Sequence, residues 1–474
     1  MELAMAPRSV AIIGASSRPH TVGNTIIKNL INLGYKGKIY PVNPKYQVVE
    51  GLKCFPSVLD INDNIDVVVI AVQAKTVPHV LVEAGKKNIR YAIIITSGFS
   101  EIGGMGEELQ RKILEISNQY NIRLIGPNTT GILNLESRFT STFVILSPEL
   151  KPGNVSFVAQ TGVFSASMLR WIFTGEAFRL NKVIGLGNKV DVDDVDALRY
   201  LYNDKSTKVI LIYMEGLKRA REFFSQASLI SREKPIIIVK SGRSRSGAKA
   251  SLSHTGSLSI PDDIFEGMCR QAGIIRALDF EEAFDYVKIL SFYGRFEGGG
   301  IAVASYSGAE CVMAADALEE CSLELCNLSE ETMSKIASYA PPFWPKSHPI
   351  DLGPILESDN PAEGLVGTFN ALTEDPRVET LIIVLPIMSK EEGGMLEVGA
   401  IDGEILRGQM LQLLKRHPKK KIILVLDGSK MGIDEGKQLL EEIGIPTYTT
   451  VRRAAKALSV ALWWSRKSKE NQNI

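Results

Sequence analysis

Short apolar runs rich in β-branched residues recur along this chain, with stretches of mixed, helix-like pattern between them. Val10–Ile13, Ile39–Val42, Val67–Val72, Ala92–Thr96 and Arg123–Ile125 are five such runs. Continuous apolar runs without alternation predict parallel strands covered on both faces, and the spacers predict the covering helices, as in a doubly wound α/β domain reaching about Leu135. The pattern restarts after Ser147–Gly153, with Val155–Ala159, Lys182–Gly185, Val209–Tyr213 and Pro235–Lys240. It restarts again after Gly298-Gly299-Gly300, with Ile301–Ser305, Thr380–Leu385 and Lys421–Leu426. The expected fold class is α/β: a Rossmann-like domain over 1–138, flavodoxin-like domains over 148–292 and 297–465, and a polar tail over 466–474.

Composition narrows this picture rather than changing it. A chain of 474 residues is longer than one core usually organises, which agrees with several domains. Lys plus Arg and Asp plus Glu both total 54, so no bulk field favours nucleic acid or an acidic membrane. The five cysteines are scattered without a CxxC pair, as expected for reduced thiols in a cytoplasmic protein. Met1–Pro7 has no secretion-signal pattern, and no apolar run approaches the ~20 residues of a membrane span.

Candidate chemistry begins at the first strand, which ends in Gly14-Ala15-Ser16-Ser17 ahead of a helix. A glycine turn at a helix N-terminus suits phosphate, although Ser16 stands where a G-x-G-x-x-G motif has its second glycine. The second strand ends in Asn43-Pro44-Lys45 rather than in the acidic residue an NAD ribose needs. A lysine there suits a ribose carrying an extra phosphate, which CoA and NADP both have. Further loops at strand ends carry Lys75, Ser97-Gly98-Phe99 and Asn128, with no acid–base pair or metal-ligand cluster among them. This region reads as a binding module.

His254 is one of five histidines, and its surroundings set it apart. The segment Lys240–Leu258 is almost wholly small, hydroxylic or basic, so it suits a polar loop rather than core. Neutral imidazole, with an unperturbed pKa of about 6.5, can attack phosphorus and carry the phosphoryl group onward. Glu215, just beyond the Val209–Tyr213 run, is placed to hold one ring nitrogen. Two strand–turn–helix junctions could aim N–H groups at a phosphoryl group: Gln160-Thr161-Gly162-Val163 and Ser305-Tyr306-Ser307-Gly308-Ala309. The acidic run Asp191–Asp196 lacks EF-hand spacing and reads as a helix start.

The order of the glycine loop, Gly126-Pro127-Asn128-Thr129-Thr130-Gly131, Gln160-Thr161-Gly162 and Ser253-His254-Thr255-Gly256-Ser257-Leu258 resembles the NDP-forming acyl-CoA synthetases, relatives of succinyl-CoA synthetase. The third unit, with Ile350-Asp351-Leu352-Gly353 and Gly444–Tyr448, resembles the CoA-ligase domain that the archaeal-type acetyl-CoA synthetase α subunit carries. The resemblance implies that His254 is phosphorylated, that Glu215 orients it, and that residues Gln160–Val163 and Ser305, Ser307, Gly308 and Ala309 hold the phosphoryl group. It places CoA on Gly14, Ala15, Ser16, Ser17, Asn43, Lys45, Lys75, Ser97, Gly98, Phe99 and Asn128. The implied reaction is acyl-CoA, phosphate and ADP to acid, CoA and ATP. An ATP-grasp β subunit is the implied partner, with ADP or ATP and Mg2+ bound there and an α2β2 heterotetramer as the assembly. His348 departs from the pattern, since many relatives have asparagine before that proline. A non-catalytic CoA-sensing or scaffolding homologue and an NADP-dependent oxidoreductase are the alternatives.

Overall fold

The computed structural model describes residues 1–160, 163–176, 178–247, 249–250, 260–389 and 401–470. The chain forms two compact units, Met1–Ala283 and Phe284–Ile474. Among the described residues, no helix is long and apolar enough to cross a membrane.

The first unit holds two main sheets. In one, parallel strands run in the order Lys38–Val42, Ser9–Ile13, Val67–Ile70, Tyr91–Ile94, Arg123–Ile125. Numbered along the chain this is 2-1-3-4-5, a doubly wound order with its switch point between the first and third strands. Successive side chains on a strand point to opposite faces. Val10, Ile12, Val67 and Val69 accordingly pack with Ile26, Ile27 and Leu30 of the Val22–Leu33 helix. Ala11, Ile13, Val68 and Ile70 pack with Val77 and Leu81 on the other face. The helix stops at Gly34, whose φ of 74° closes it in the left-handed conformation.

The second sheet runs Ile275–Ala277, Ile236–Lys240, Val209–Met214, Val155–Ala159, Leu180–Gly185, Ile132–Asn134, Phe139–Thr140. Its first five strands are parallel and repeat the same order, while the last two are antiparallel additions. The span expected for the first domain, 1–138, therefore contributes Ile132–Asn134 to the second sheet. Ile132 and Phe139 join the core that one face of the first sheet shares with Val158, Ile184, Ile210 and Ile238. That shared core makes one compact unit of two sheets.

The second unit repeats the order once more: Ile350–Asp351, Gly300–Ser305, Val378–Met388, Lys421–Gly428, Thr447–Tyr448. The tail expected from Arg466 is instead helical as far as Glu470, in the helix Val451–Glu470 that buries Ser465 and Ser468.

His348 has a structural duty in this unit. The Ile350–Asp351 strand is only two residues long, and the Val303 N–H on its neighbour donates to His348 Nε2 at 3.0 Å. The same ring donates through Nδ1 to Cys326 O at 2.9 Å, which fixes the neutral tautomer. An asparagine amide also offers a donor and an acceptor but carries no charge on acidification. Burial lowers the His348 pKa from its ordinary value, with the Cys326 carbonyl opposing. The unfolded chain thus takes up a proton near pH 6.5 before the folded chain does, and stability falls as pH drops below that point. We expect denaturant titrations from pH 7.5 to 5 to show this acid loss in the wild type. His348→Asn should remove that component, and His348→Leu should destabilise at every pH by leaving Val303 N–H and Cys326 O without that partner.

Candidate active site

The carboxyl ends of the first sheet are built for close approach. A Cβ on Gly14, whose φ is +92°, would lie 2.3 Å from Ala71 O, and one on Gly23 would lie 2.2 Å from Gly14 O. Gly14 and Ala15 N–H both donate to Val42 O, at 3.0 and 3.3 Å. Asn43 clamps the turn, giving Nδ2 to Ala15 O at 2.7 Å and accepting from Lys45 N–H at 2.9 Å. Asn24 reaches Ser16 O at 2.9 Å. Ser16 Oγ accepts from Arg18 N–H at 3.0 Å, and Ser17 Oγ donates to Val48 O at 3.2 Å. Lys45 and Lys75 are exposed.

Beside this turn is a cleft of about 360 Å³, lined by Val22, Val72, Thr96, Ser97, Asn128 and Phe143 among others. It opens at the carboxyl ends of the strands Val67–Ile70, Tyr91–Ile94 and Arg123–Ile125, the edge at which open α/β sheets receive ligands. Ser97 and Asn128 line this cleft. Phe99 does not: its side chain is fully buried in the core. The N–H groups of Gly98 and Phe99 donate to Glu101 Oε1, at 2.5 and 3.1 Å. A phosphate can use those two N–H groups only by displacing Glu101.

The second sheet carries the acid. Glu215, 5% exposed, follows the Val209–Met214 strand. Gln160 Oε1 accepts from Glu215 N–H at 2.8 Å and Gly216 N–H at 3.1 Å, fixing the turn. Tyr213 OH donates to Glu215 Oε1 at 3.2 Å. Burial, reinforced by the Glu215 charge, pushes that phenol up to about 12, so it remains a donor. Val163 opens the helix Val163–Gly175 directly after the Gln160 turn. Thr161, Gly162 and His254 lie outside the described residues. Lys240 ends its strand with its ammonium 3.6 Å from Asp262, and Ser241 N–H donates to Met214 O at 3.1 Å.

Lys189, Asn188 and Glu101 escaped the sequence reading. Lys189 is 2% exposed and gives its ammonium to Gln160 Oε1 at 3.0 Å, Asp194 Oδ2 at 2.7 Å and Gly216 O at 2.7 Å. Asn188 Nδ2 contacts Glu101 at 2.6 Å, Gln110 at 3.0 Å and Ser100 Oγ at 3.2 Å, and its Oδ1 accepts from Asn128 Nδ2 at 3.4 Å. The signal was present: Gly187-Asn188-Lys189 follows a predicted strand at its carboxyl end, the position already used to pick loops in the first domain.

The acidic run is fully engaged. Asp191 takes Arg123 Nε and Leu124 N–H, Asp193 caps the Asp194–Asn203 helix, and Asp196 pairs with Arg123 and Arg219.

In the second unit, Ser305 is fully buried, Ser307 caps the helix Gly308–Glu320, and Gly308 and Ala309 form its first turn. Carboxylates surround that turn. A Cβ on Gly308 would lie 3.0 Å from Asp351 Oδ2, Tyr306 OH donates to Asp427 at 2.6 Å, and Glu310 is in the first turn. Burial and then the Asp427 charge raise the Glu310 pKa. An anion seated on these N–H groups meets repulsion that the sequence pattern did not reveal.

Gly14→Ala tests the cradle. The added methyl meets a carbonyl and the backbone is held at positive φ, so a stability loss of about 1–3 kcal/mol is expected in urea titrations.

Residues 8–134 match the model of a CoA binding domain, and residues 152–290 match that of a succinyl-CoA ligase like flavodoxin domain. The chain is 35% identical over 470 residues to the α subunit of ADP-forming acetate–CoA ligase I of Pyrococcus furiosus, covering 98% of each. It is 39% identical over 453 residues to ADP-forming acetate–CoA ligase II of Archaeoglobus fulgidus, covering 95% of this chain but 65% of that one. The chain thus spans under two thirds of that relative's length. A solved dinucleotide-forming acetyl-coenzyme A synthetase 1 from Ca. Korarchaeum cryptofilum, in complex with phosphate and ADP, superposes with a TM-score of 0.89 at 31% identity, covering 100% of this chain and 98% of that one.

Proposed function

Because the chain belongs to the ADP-forming acetate–CoA ligase family, we propose that it is the CoA-binding, histidine-phosphorylated α subunit of an ADP-forming acyl-CoA synthetase. The observation that carries this reading is Glu215, a buried carboxylate whose own N–H and that of the next residue are pinned by one side-chain oxygen of Gln160. Such a carboxylate accepts the proton of one imidazole nitrogen and leaves the other free as a nucleophile.

In this reading that cleft takes CoA. Its mixed lining of Val22, Val72 and Phe143 with Thr96, Ser97 and Asn128 suits a chain of methylenes and amides. The glycine turn admits the backbone closely to a phosphate, and Lys45 and Lys75 supply positive charge. Phosphate displaces CoA from acyl-CoA to give an acyl phosphate. His254 then attacks the phosphorus, the acid leaves with the bridging oxygen, and the phosphoryl group passes to ADP. The final step takes place with an ATP-grasp β subunit, which would hold the nucleotide and Mg2+, in an α2β2 assembly in the cytoplasm.

Two measurements check this. With acetyl-CoA and radiolabelled phosphate, the chain alone should take up an acid-labile, base-stable label. His254→Asn should abolish it, and Glu215→Gln should slow it by roughly 10²–10⁴-fold. A label that enters the His254→Asn protein at the wild-type rate would sink the mechanism. In calorimetric titrations CoA should bind more tightly than dephospho-CoA, with the difference lost in Lys45→Ala; equal affinity of the wild type for both removes Lys45 from the 3′-phosphate.

A further inference from the structure

We propose that Lys189 is a positioning residue for the phosphoryl-transfer step, holding Glu215 in place through Gln160 and Gly216. The inference rests on the phosphohistidine reading given above and adds a residue to it.

An ammonium has three protons and no acceptor, so a buried one must place all three. Lys189 places them on Gln160 Oε1, Asp194 Oδ2 and Gly216 O, all within 3.0 Å. One of these three partners, Gly216, belongs to the turn that carries Glu215, and a second, Gln160, is bonded to the N–H groups of that turn. Gln160 Oε1 is at once the acceptor for Lys189, Glu215 N–H and Gly216 N–H, so all its partners are donors. That demand fixes the amide with its oxygen inward. Without the ammonium Gln160 Oε1 keeps only the two backbone N–H donors and Gly216 O loses its charged donor, so the turn carrying Glu215 is held by fewer bonds. The third partner, Asp194, is 1% exposed and sits in the first turn of the Asp194–Asn203 helix, which anchors the ammonium from the opposite side. Lys189 itself has a φ of 53°, so its backbone is committed to this turn as well. Lys218 Nζ seals it by donating to Lys189 O at 2.6 Å.

A group acting this way should alter the rate of the step Glu215 serves and spare binding in the CoA cleft. It should also lose its effect when Glu215 is gone, because coupled residues do not add. The test uses the full chain with acetyl-CoA and radiolabelled phosphate. Lys189→Met should slow labelling at saturating phosphate by at least about tenfold while the CoA dissociation constant stays within about twofold. Added to Glu215→Gln, the same substitution should slow labelling by less than about threefold further. Should Lys189→Met leave Asp194 as a buried lone charge and fail to fold, Lys189→Met/Asp194→Leu removes both charges together, and folding is checked by circular dichroism. Wild-type labelling in either variant overturns the proposal, and so does a double variant in which the two losses multiply. If the wild-type chain takes no label, the phosphohistidine reading itself fails, a result distinct from either of these.

Discussion

Taking an ammonium out of water is among the costliest acts in folding, and the first unit does so at Lys189, beside the turn that carries Glu215. Lys189 is tolerable there only because three oxygens surround it, and each of those oxygens belongs to a different segment. One ends the Val155–Ala159 strand, one follows the Val209–Met214 strand, and one opens a helix. Satisfying the ion therefore fixes three carboxyl-edge segments relative to one another. The turn bearing Glu215 inherits its position from that requirement, so the placement of the candidate acid is a consequence of charge satisfaction more than of sheet geometry alone.

The neighbouring carboxylates extend the same logic to the first sheet. Asp191 bonds Arg123 and the Leu124 N–H on the last strand of that sheet, while Asp193 and Asp196 share Arg219. Gly187 lets the chain pass so close to the Pro127 loop that a Cβ would lie 2.2 Å from Pro127 O. Asn188 then joins Asn128 to Glu101 and Gln110. Residues 187–196 thus knit the rim of the cleft to the turn that holds Glu215. In most settings such a run of acids would be a solvated face. Here each carboxylate has an assigned donor, and the shared apolar core beneath holds the two sheets close enough for those donors to reach.

One topology, 2-1-3-4-5, serves three sheets with different chemistry at the edge. The first sheet ends in glycine and hydroxyl loops around a cleft, the second in a buried acid–amide–lysine group, and the third in a turn ringed by Asp351, Asp427 and Glu310. The fold supplies an edge where strand ends converge, and side chains on the loops decide what that edge can hold.

Sequence alone determined the long elements and the chemistry that depends on residue type. Buried parallel strands such as Val67–Ile70 and Ile236–Lys240 must be continuously apolar, so their composition reveals them. Ile275–Ala277 and Ile350–Asp351, of three and two residues, are too short to carry a period and were missed as runs, although the equally short Arg123–Ile125 was found. The glycine turn, Glu215 and the Ser-rich stretch around His254 stood out as candidates because those residue types suit phosphoryl chemistry. Tertiary structure alone decided which polar groups remain available. Phe99 is core, the Gly98 and Phe99 N–H groups are taken by Glu101, and the turn at Gly308 is acidic because Asp351 and Asp427 come from strands far along the chain. Lys189 reads in the sequence as one more surface lysine. It becomes a buried ion only when residues 160, 194 and 216 converge, and contacts between residues distant in sequence leave no local pattern to read.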